Sequence, residues 1–110
     1  MTLKEIKHID FKKGDGIVPV IVQNSTSKDV LTLAYTNKES LELTKKTGNS
    51  WFWSRSRNKL WMKGEESGNT QKVKKIMVDC DSDAIIYLVE PSGPACHTGE
   101  QTCFHNDMEF

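Results

Sequence analysis

The sequence has no apolar run approaching the roughly 20 residues that a membrane-spanning helix needs, and its start, Met1-Thr2-Leu3-Lys4-Glu5, carries no apolar signal region. A cytoplasmic protein with no membrane partner is expected. There is no surplus of charge either, since 15 basic and 15 acidic side chains cancel, which argues against a general nucleic-acid coat and against an acidic tail. Cysteine is scarce. Three cysteines cannot all pair within one chain, so in a reducing compartment they are expected as thiols, metal ligands or nucleophiles and not as a disulfide framework. No internal repeat, low-complexity tract or linker divides the chain. Its 110 residues, 36% of them hydrophobic, suit a single domain, 1–110, with 1–15 as a leading segment and 105–110 as a tail. A domain this small leaves much apolar surface wet unless a partner covers it, so an oligomer is a reasonable expectation.

What is present reads as strands with one helix. Residues 17–22 and 30–35 are β-branched runs joined by polar turn residues, which predicts an antiparallel hairpin. Pro19 cannot donate to a ladder, so its strand is expected at an edge or with a bulge. Thr36-Asn37-Lys38-Glu39 has the capping-box pattern of Thr followed three residues later by Glu, predicting a helix to about Thr47 that Gly48 stops. Its apolar residues are chiefly Leu41 and Leu43, so it should lie on a sheet as a cover. Residues 73–78 and 84–89 form a second expected hairpin with aspartates at its tip. The fold class is thus α+β, a predominantly antiparallel sheet with one short covering helix.

Residues 50–57, Ser-Trp-Phe-Trp-Ser-Arg-Ser-Arg, would if extended place Trp51, Trp53, Arg55 and Arg57 on one face. Core packing is the ordinary role for Trp51, Trp53 and Trp61. Arg55, Arg57 and Lys63, with the glycine-flanked loop that holds Ser67 and Asn69, supply the guanidinium forks, hydroxyls and amides that grip phosphate. A solvated basic rim is the plainer alternative.

The chemistry-bearing residues concentrate further on. Asp79, Asp81 and Asp83 alternate and would share a side, where oxygen ligands suit Mg²⁺ or Ca²⁺, while Cys80 projects away from them. They match positions of an EF-hand loop, but Ala84 stands where its sharp turn demands glycine. A solvated acidic turn remains open. Cys80, Cys96 and Cys103 do not have the C-x-x-C spacing of structural zinc knuckles; three thiolates would leave a fourth tetrahedral position free, as in catalytic zinc sites. Buried structural thiols or a redox cysteine are the alternatives. His97 is a candidate proton carrier beside Cys96.

Several motifs in order, Trp51-Phe52-Trp53-Ser54-Arg55-Ser56-Arg57, Leu60-Trp61-Met62-Lys63-Gly64-Glu65, Ser67-Gly68-Asn69, Asp79-Cys80-Asp81-Ser82-Asp83 and Gly93-Pro94-Ala95-Cys96-His97-Thr98-Gly99 with Cys103-Phe104, closely resemble the phosphoribosyl-AMP cyclohydrolase family of histidine biosynthesis. The resemblance runs from about Gly16 to Phe104. It implies a hydrolase that opens the adenine ring of 1-(5-phosphoribosyl)-AMP at the N1–C6 bond, with Zn²⁺ and Mg²⁺ as cofactors. It further implies Cys80, Cys96 and Cys103 as zinc ligands, Asp79, Asp81 and Asp83 as magnesium ligands, and His97 in proton transfer. Trp53, Arg55, Arg57, Lys63, Ser67 and Asn69 are the candidate substrate contacts. Glu100-Gln101 stands where more basic character would be expected, and the chain is too short for the pyrophosphohydrolase domain fused to some family members. Residues 84–90 carry the chain roughly 20 Å from Cys80 as a strand, so a partner's Cys80 is the easier third ligand. That agrees with the intertwined homodimer of the family, which shares its zinc between subunits. From another class, a zinc-stabilised module binding single-stranded nucleic acid through its tryptophans and basic run is the alternative.

Overall fold

The computed structural model describes residues 3–110. After 3-10 turns at Ile6–His8 and Lys12–Gly14, the chain forms β1 (Val18–Asn24), β2 (Val30–Thr36), α1 (Lys38–Thr47), β3 (Trp51–Ser54), β4 (Lys59–Met62), β5 (Gln71–Val78) and β6 (Ile85–Pro91). Four strands make one sheet in the order β2-β1-β6-β5, and β3 pairs with β4 in a small second sheet. Adjacent pairs are antiparallel except β1 with β6, which run parallel. The α+β expectation holds, with a mixed sheet.

Both expected hairpins form. In the first, the Asn24 carboxamide accepts the amides of Thr26 and Ser27 at 2.9 and 3.1 Å, which shapes the turn. In the second, the register running from Val78↔Ile85 to Gln71↔Pro91 leaves the aspartates at the tip. Alternation then builds the core: Val18, Val20 and Val22 of β1 and Ile85, Tyr87 and Val89 of β6 are all buried, joined by Leu31, Leu41 and Phe52. Tyr87 and Phe52 lie 5.9 Å apart between ring centroids, and Trp61 approaches Phe52 at 4.9 Å.

Three local expectations are met only in part. The strand containing Pro19 is central and not at an edge, but it carries the register shift expected as the alternative, between Val22 and Gln23; Pro19 is tolerated because the ladder to β6 begins only at Val20. The extended run stops at Ser54, because residues 55–58 turn, with Asn58 in the left-handed region at φ 53°. Arg55 and Arg57 therefore leave the face that carries Trp51 and Trp53. The tryptophans are only half-buried, with Trp61 packed against the core as expected, and the fully enclosed aromatic of the run is Phe52.

The helix starts one residue later than the Thr–Glu pattern suggested. Asn37 is the N-cap, its side chain accepting the Ser40 amide at 2.8 Å while Ser40 Oγ accepts the Asn37 amide at 2.8 Å. Ser40 also bonds the buried Thr36 hydroxyl at 2.5 Å, so burial favours the shorter serine over an exposed glutamate. Gly48 ends the helix at φ 78°, as expected. Asn37→Ala should consequently cost ~1 kcal/mol in urea denaturation, whereas Glu39→Ala should stay within ~0.5 kcal/mol; equal losses would restore the Thr36–Glu39 box.

Candidate metal and substrate site

The tip between β5 and β6 is a closed turn. The Asp79 amide donates to Ala84 O at 3.1 Å, the Ser82 amide to Asp79 O at 3.2 Å, and Ser82 adopts the left-handed conformation at φ 62°. Asp79 Oδ1 accepts the amides of Asp83 and Ala84 at 2.9 and 3.1 Å, which fixes its carboxylate. Asp79, Asp81 and Asp83 each offer an oxygen within 4.8 Å of the others, the only group of three such ligands found among the described residues. They converge as expected, and it is the turn that brings them together. Hard oxygen donors at that spacing fit Mg²⁺ or Ca²⁺.

Carboxylates this close repel unless positive charge sits among them. Here Lys13 does: its Nζ lies 2.9 Å from Asp83 Oδ2 and 3.2 Å from Asp81 Oδ2. The bond to Asp83, then that to Asp81, holds the ammonium well above its ordinary range. Asp10 donates its amide to Ser82 O at 2.8 Å and Lys4 Nζ donates to Ser82 Oγ at 2.5 Å, so the leading segment straps the turn. Sequence reasoning missed Lys4, Asp10 and Lys13. The available signal was the excess of lysine in a segment with no other evident role.

The cysteine loop lies at the other end of the sheet. The amide of Ala95 donates to Gln101 O and that of Cys96 to Glu100 O, at 3.3 and 3.1 Å, pairing its two limbs. Cys103 donates its amide to Leu31 O at 2.8 Å, anchoring the loop beside the start of β2. Cys96 is buried, and Thr98 Oγ1 donates to its Sγ at 3.1 Å, with His105 Nε2 3.8 Å away. The Thr98 hydroxyl, the Thr98 amide, His105 and Cys103 lower the Cys96 thiol to about 6 against the opposing effect of burial. A thiolate at neutral pH is a soft-metal donor.

Cys96 and Cys103 thus come together. Cys80 does not join them: it is exposed in the aspartate turn, and its Sγ lies 3.9 Å from Asp81 Oδ1, so it does not project away from the carboxylates as expected. His97 is exposed, and His105, which faces Cys96, was not singled out from sequence because the tail carries no motif.

The expected substrate contacts divide. Lys63 Nζ donates to Ala95 O at 2.5 Å, directly before Cys96. A Cβ on Gly93 would collide with the Asn69 carboxamide, so the loop 64–69 packs tightly onto the approach to the cysteines, and one on Gly64 would collide with the Asn69 backbone, which keeps that loop closed on itself. Ser67, on that loop, accepts the Asn69 amide at 3.2 Å. Arg55 instead stacks its guanidinium 3.8 Å over the Tyr35 ring, Arg57 is exposed in the turn, and Trp53 is half-buried. No helix among the described residues is long and apolar enough to cross a membrane.

Residues 32–105 match the model of the family described as phosphoribosyl-AMP cyclohydrolase. The phosphoribosyl-AMP cyclohydrolase of Nitrosopumilus maritimus is 74% identical over 106 residues, covering 96% of this chain and 98% of that one. The enzyme of the same name from Clostridium botulinum strain 657 is 57% identical over 98% of this chain and 99% of its own. A histidine biosynthesis bifunctional protein of Bacillus subtilis is 60% identical over 96% of this chain, which spans 50% of that protein.

The Cys96 environment predicts a pH dependence. Its folded value of about 6 lies below the ordinary 9.0, so between these the unfolded thiol holds a proton that the folded one lacks. The contribution to stability is present above pH 9 and is lost as pH falls towards 6. Metal-free protein should therefore melt at progressively lower temperature across that window, and Thr98→Val should flatten the slope. An unchanged slope in Thr98→Val would show that Thr98 does not hold the thiolate.

Proposed function

This chain belongs to the phosphoribosyl-AMP cyclohydrolase family, and we propose that it hydrolyses the N1–C6 bond of the adenine ring in 1-(5-phosphoribosyl)-AMP, giving the formimino aminoimidazole carboxamide ribotide. Such an activity makes it a hydrolase of histidine biosynthesis, working in the cytoplasm. The observation that carries the reading is a carboxylate trio and a thiolate-favouring cysteine loop in one small domain that aligns along nearly its whole length with enzymes of that name.

We assign Zn²⁺ to Cys96 and Cys103 with Cys80 of the partner subunit, and Mg²⁺ to Asp79, Asp81 and Asp83. When bound, zinc supplies a Lewis acid that makes water nucleophilic near neutral pH. The chain's own groups do the rest. A ribosyl group on N1 makes the purine cationic and C6 electrophilic. His97, exposed beside the buried Cys96, moves a proton towards the departing N1. Arg57, free of the stacking that occupies Arg55, and Ser67, at the other end of the β3–β4 hairpin, are our candidates for holding the substrate's phosphates. Lys63 and Asn69 act on the cysteine loop, and Trp53 lies in β3 of the hairpin that leads to Lys63. A nucleic-acid-binding module finds no comparable support, since Arg55 covers Tyr35 and the Trp51 indole donates to Thr47 Oγ1 at 3.2 Å.

Direct assay is simple: purified protein with phosphoribosyl-AMP should show ring opening by ultraviolet absorbance. Chelating zinc should abolish turnover, and withdrawing Mg²⁺ should do so reversibly; full turnover in metal-free protein would contradict both assignments. His97→Ala should retain zinc yet lose roughly 10²–10⁴-fold in rate. Loss of zinc with activity would make His97 a ligand or a structural residue.

Sharing of the site between subunits has its own test. Co-expressed Cys80→Ala and Cys96→Ala chains, each inactive alone, should form hybrid dimers with one intact site, recovering about a quarter of wild-type activity at random mixing. Tagged hybrids that form yet stay inactive would place the zinc site within one chain.

A further inference from the structure

Lys13 occupies a peculiar position. It belongs to a 3-10 turn far in sequence from the aspartates, yet its Nζ touches one oxygen of Asp81 and one of Asp83, two of the three carboxylates assigned to the divalent ion. The contact is placed, not incidental: the Lys13 amide donates to Asp10 Oδ1 at 3.2 Å, and the Asp10 amide in turn donates to Ser82 O at 2.8 Å within the aspartate turn itself. Gly16 closes the segment by donating its amide to Phe11 O at 2.7 Å, and Asp15 turns it through a left-handed conformation at φ 55°. The ammonium is therefore presented to the trio by backbone that is bonded to the trio's own turn.

We propose that Lys13 is an internal counter-ion of the carboxylate trio that a divalent cation must displace, so that this residue sets the cation concentration at which the site fills. The inference rests on the reading of Asp79, Asp81 and Asp83 as the magnesium site. Its physical basis is competition for the same carboxylates. Asp79 Oδ1 is already committed to two amides, so an ion drawing on all three residues needs oxygens of Asp81 and Asp83, where the ammonium sits. Two cations a few ångströms apart also repel, and both cannot take their best geometry on half-exposed carboxylates. With the ion absent, the ammonium relieves repulsion among the carboxylates and keeps the turn closed. Once the ion binds, the flexible lysine stem lets the charge swing into solvent without moving the strap.

The probe is Mn²⁺, whose free concentration is read by electron paramagnetic resonance, titrated into wild type, Lys13→Met, Lys13→Arg and Asp81→Asn/Asp83→Asn proteins. Lys13→Met should bind Mn²⁺ about tenfold more tightly than wild type, and the metal-induced rise in melting temperature should be larger for it. Lys13→Arg keeps the charge and should remain near wild type, while the double asparagine variant should lose the site. Equal affinity of wild type and Lys13→Met, both abolished in the asparagine variant, would overturn the counter-ion role and leave the magnesium reading standing. Weaker binding by Lys13→Met would overturn it too, by showing that the lysine supports the ion. If no protein bound Mn²⁺ in a manner dependent on Asp81 and Asp83, the magnesium reading would fail and the inference with it.

Discussion

The parallel ladder between β1 and β6 is the constraint on which the rest depends. Val20 pairs with Ile85 and Asn24 with Val89, and the inward side chains of both strands are removed from water. A slip of one residue would turn Tyr87 and the valines outwards, so burial fixes the register. The same register fixes where chemistry can occur. One end of β6 emerges from the aspartate turn, the other leads into the cysteine loop, and neither can shift without unpacking the core.

Much of this was legible in the sequence because it follows from local pattern. Alternating β-branched runs, Gly48 as a helix stop, and aspartates between two strand-like segments each carry their physical cause in a few neighbouring residues. What was not legible depends on distant partners. Pro19 suggested an edge or a bulge, and the edge arm failed because sequence shows its missing donor but not that the β6 ladder begins one residue later. Ser40 outcompetes Glu39 at the helix start because Thr36 is buried beneath it, a tertiary fact. The site divides in the same way. Its aspartates and cysteines announce themselves by type and clustering, whereas Lys13 and His105 are ordinary residues until the fold brings them to Asp83 and Cys96.

The two donor sets are conditioned by opposite means. At the aspartates, negative charge is crowded and then moderated by amides on Asp79 and an ammonium on Asp81 and Asp83. At Cys96, a buried thiol that would otherwise resist ionisation is drawn towards thiolate by a hydroxyl, an amide and a nearby imidazole. The carboxylate trio and the Cys96–Cys103 loop are thereby kept apart within one chain, while Cys80 alone puts a soft donor beside the hard ones.

Separation raises the question of how both could serve one reaction, and on the proposed reading the position of Cys80 answers it. It is covalently flanked by Asp79 and Asp81, with adjacent Cα atoms about 3.8 Å apart. Any arrangement that brings the partner's Cys80 to Cys96 and Cys103 must carry the partner's carboxylates along with it. On the proposed reading, then, subunit pairing does more than complete a ligand set. It sets the hard-ion site of one chain beside the soft-ion site of the other, with the loop 64–69 of the receiving chain packed alongside, so that a substrate bearing both a purine ring and phosphates can reach the two ions together. On the same reading, a solitary chain would hold these residues at opposite ends of its sheet and would not bring them to one substrate.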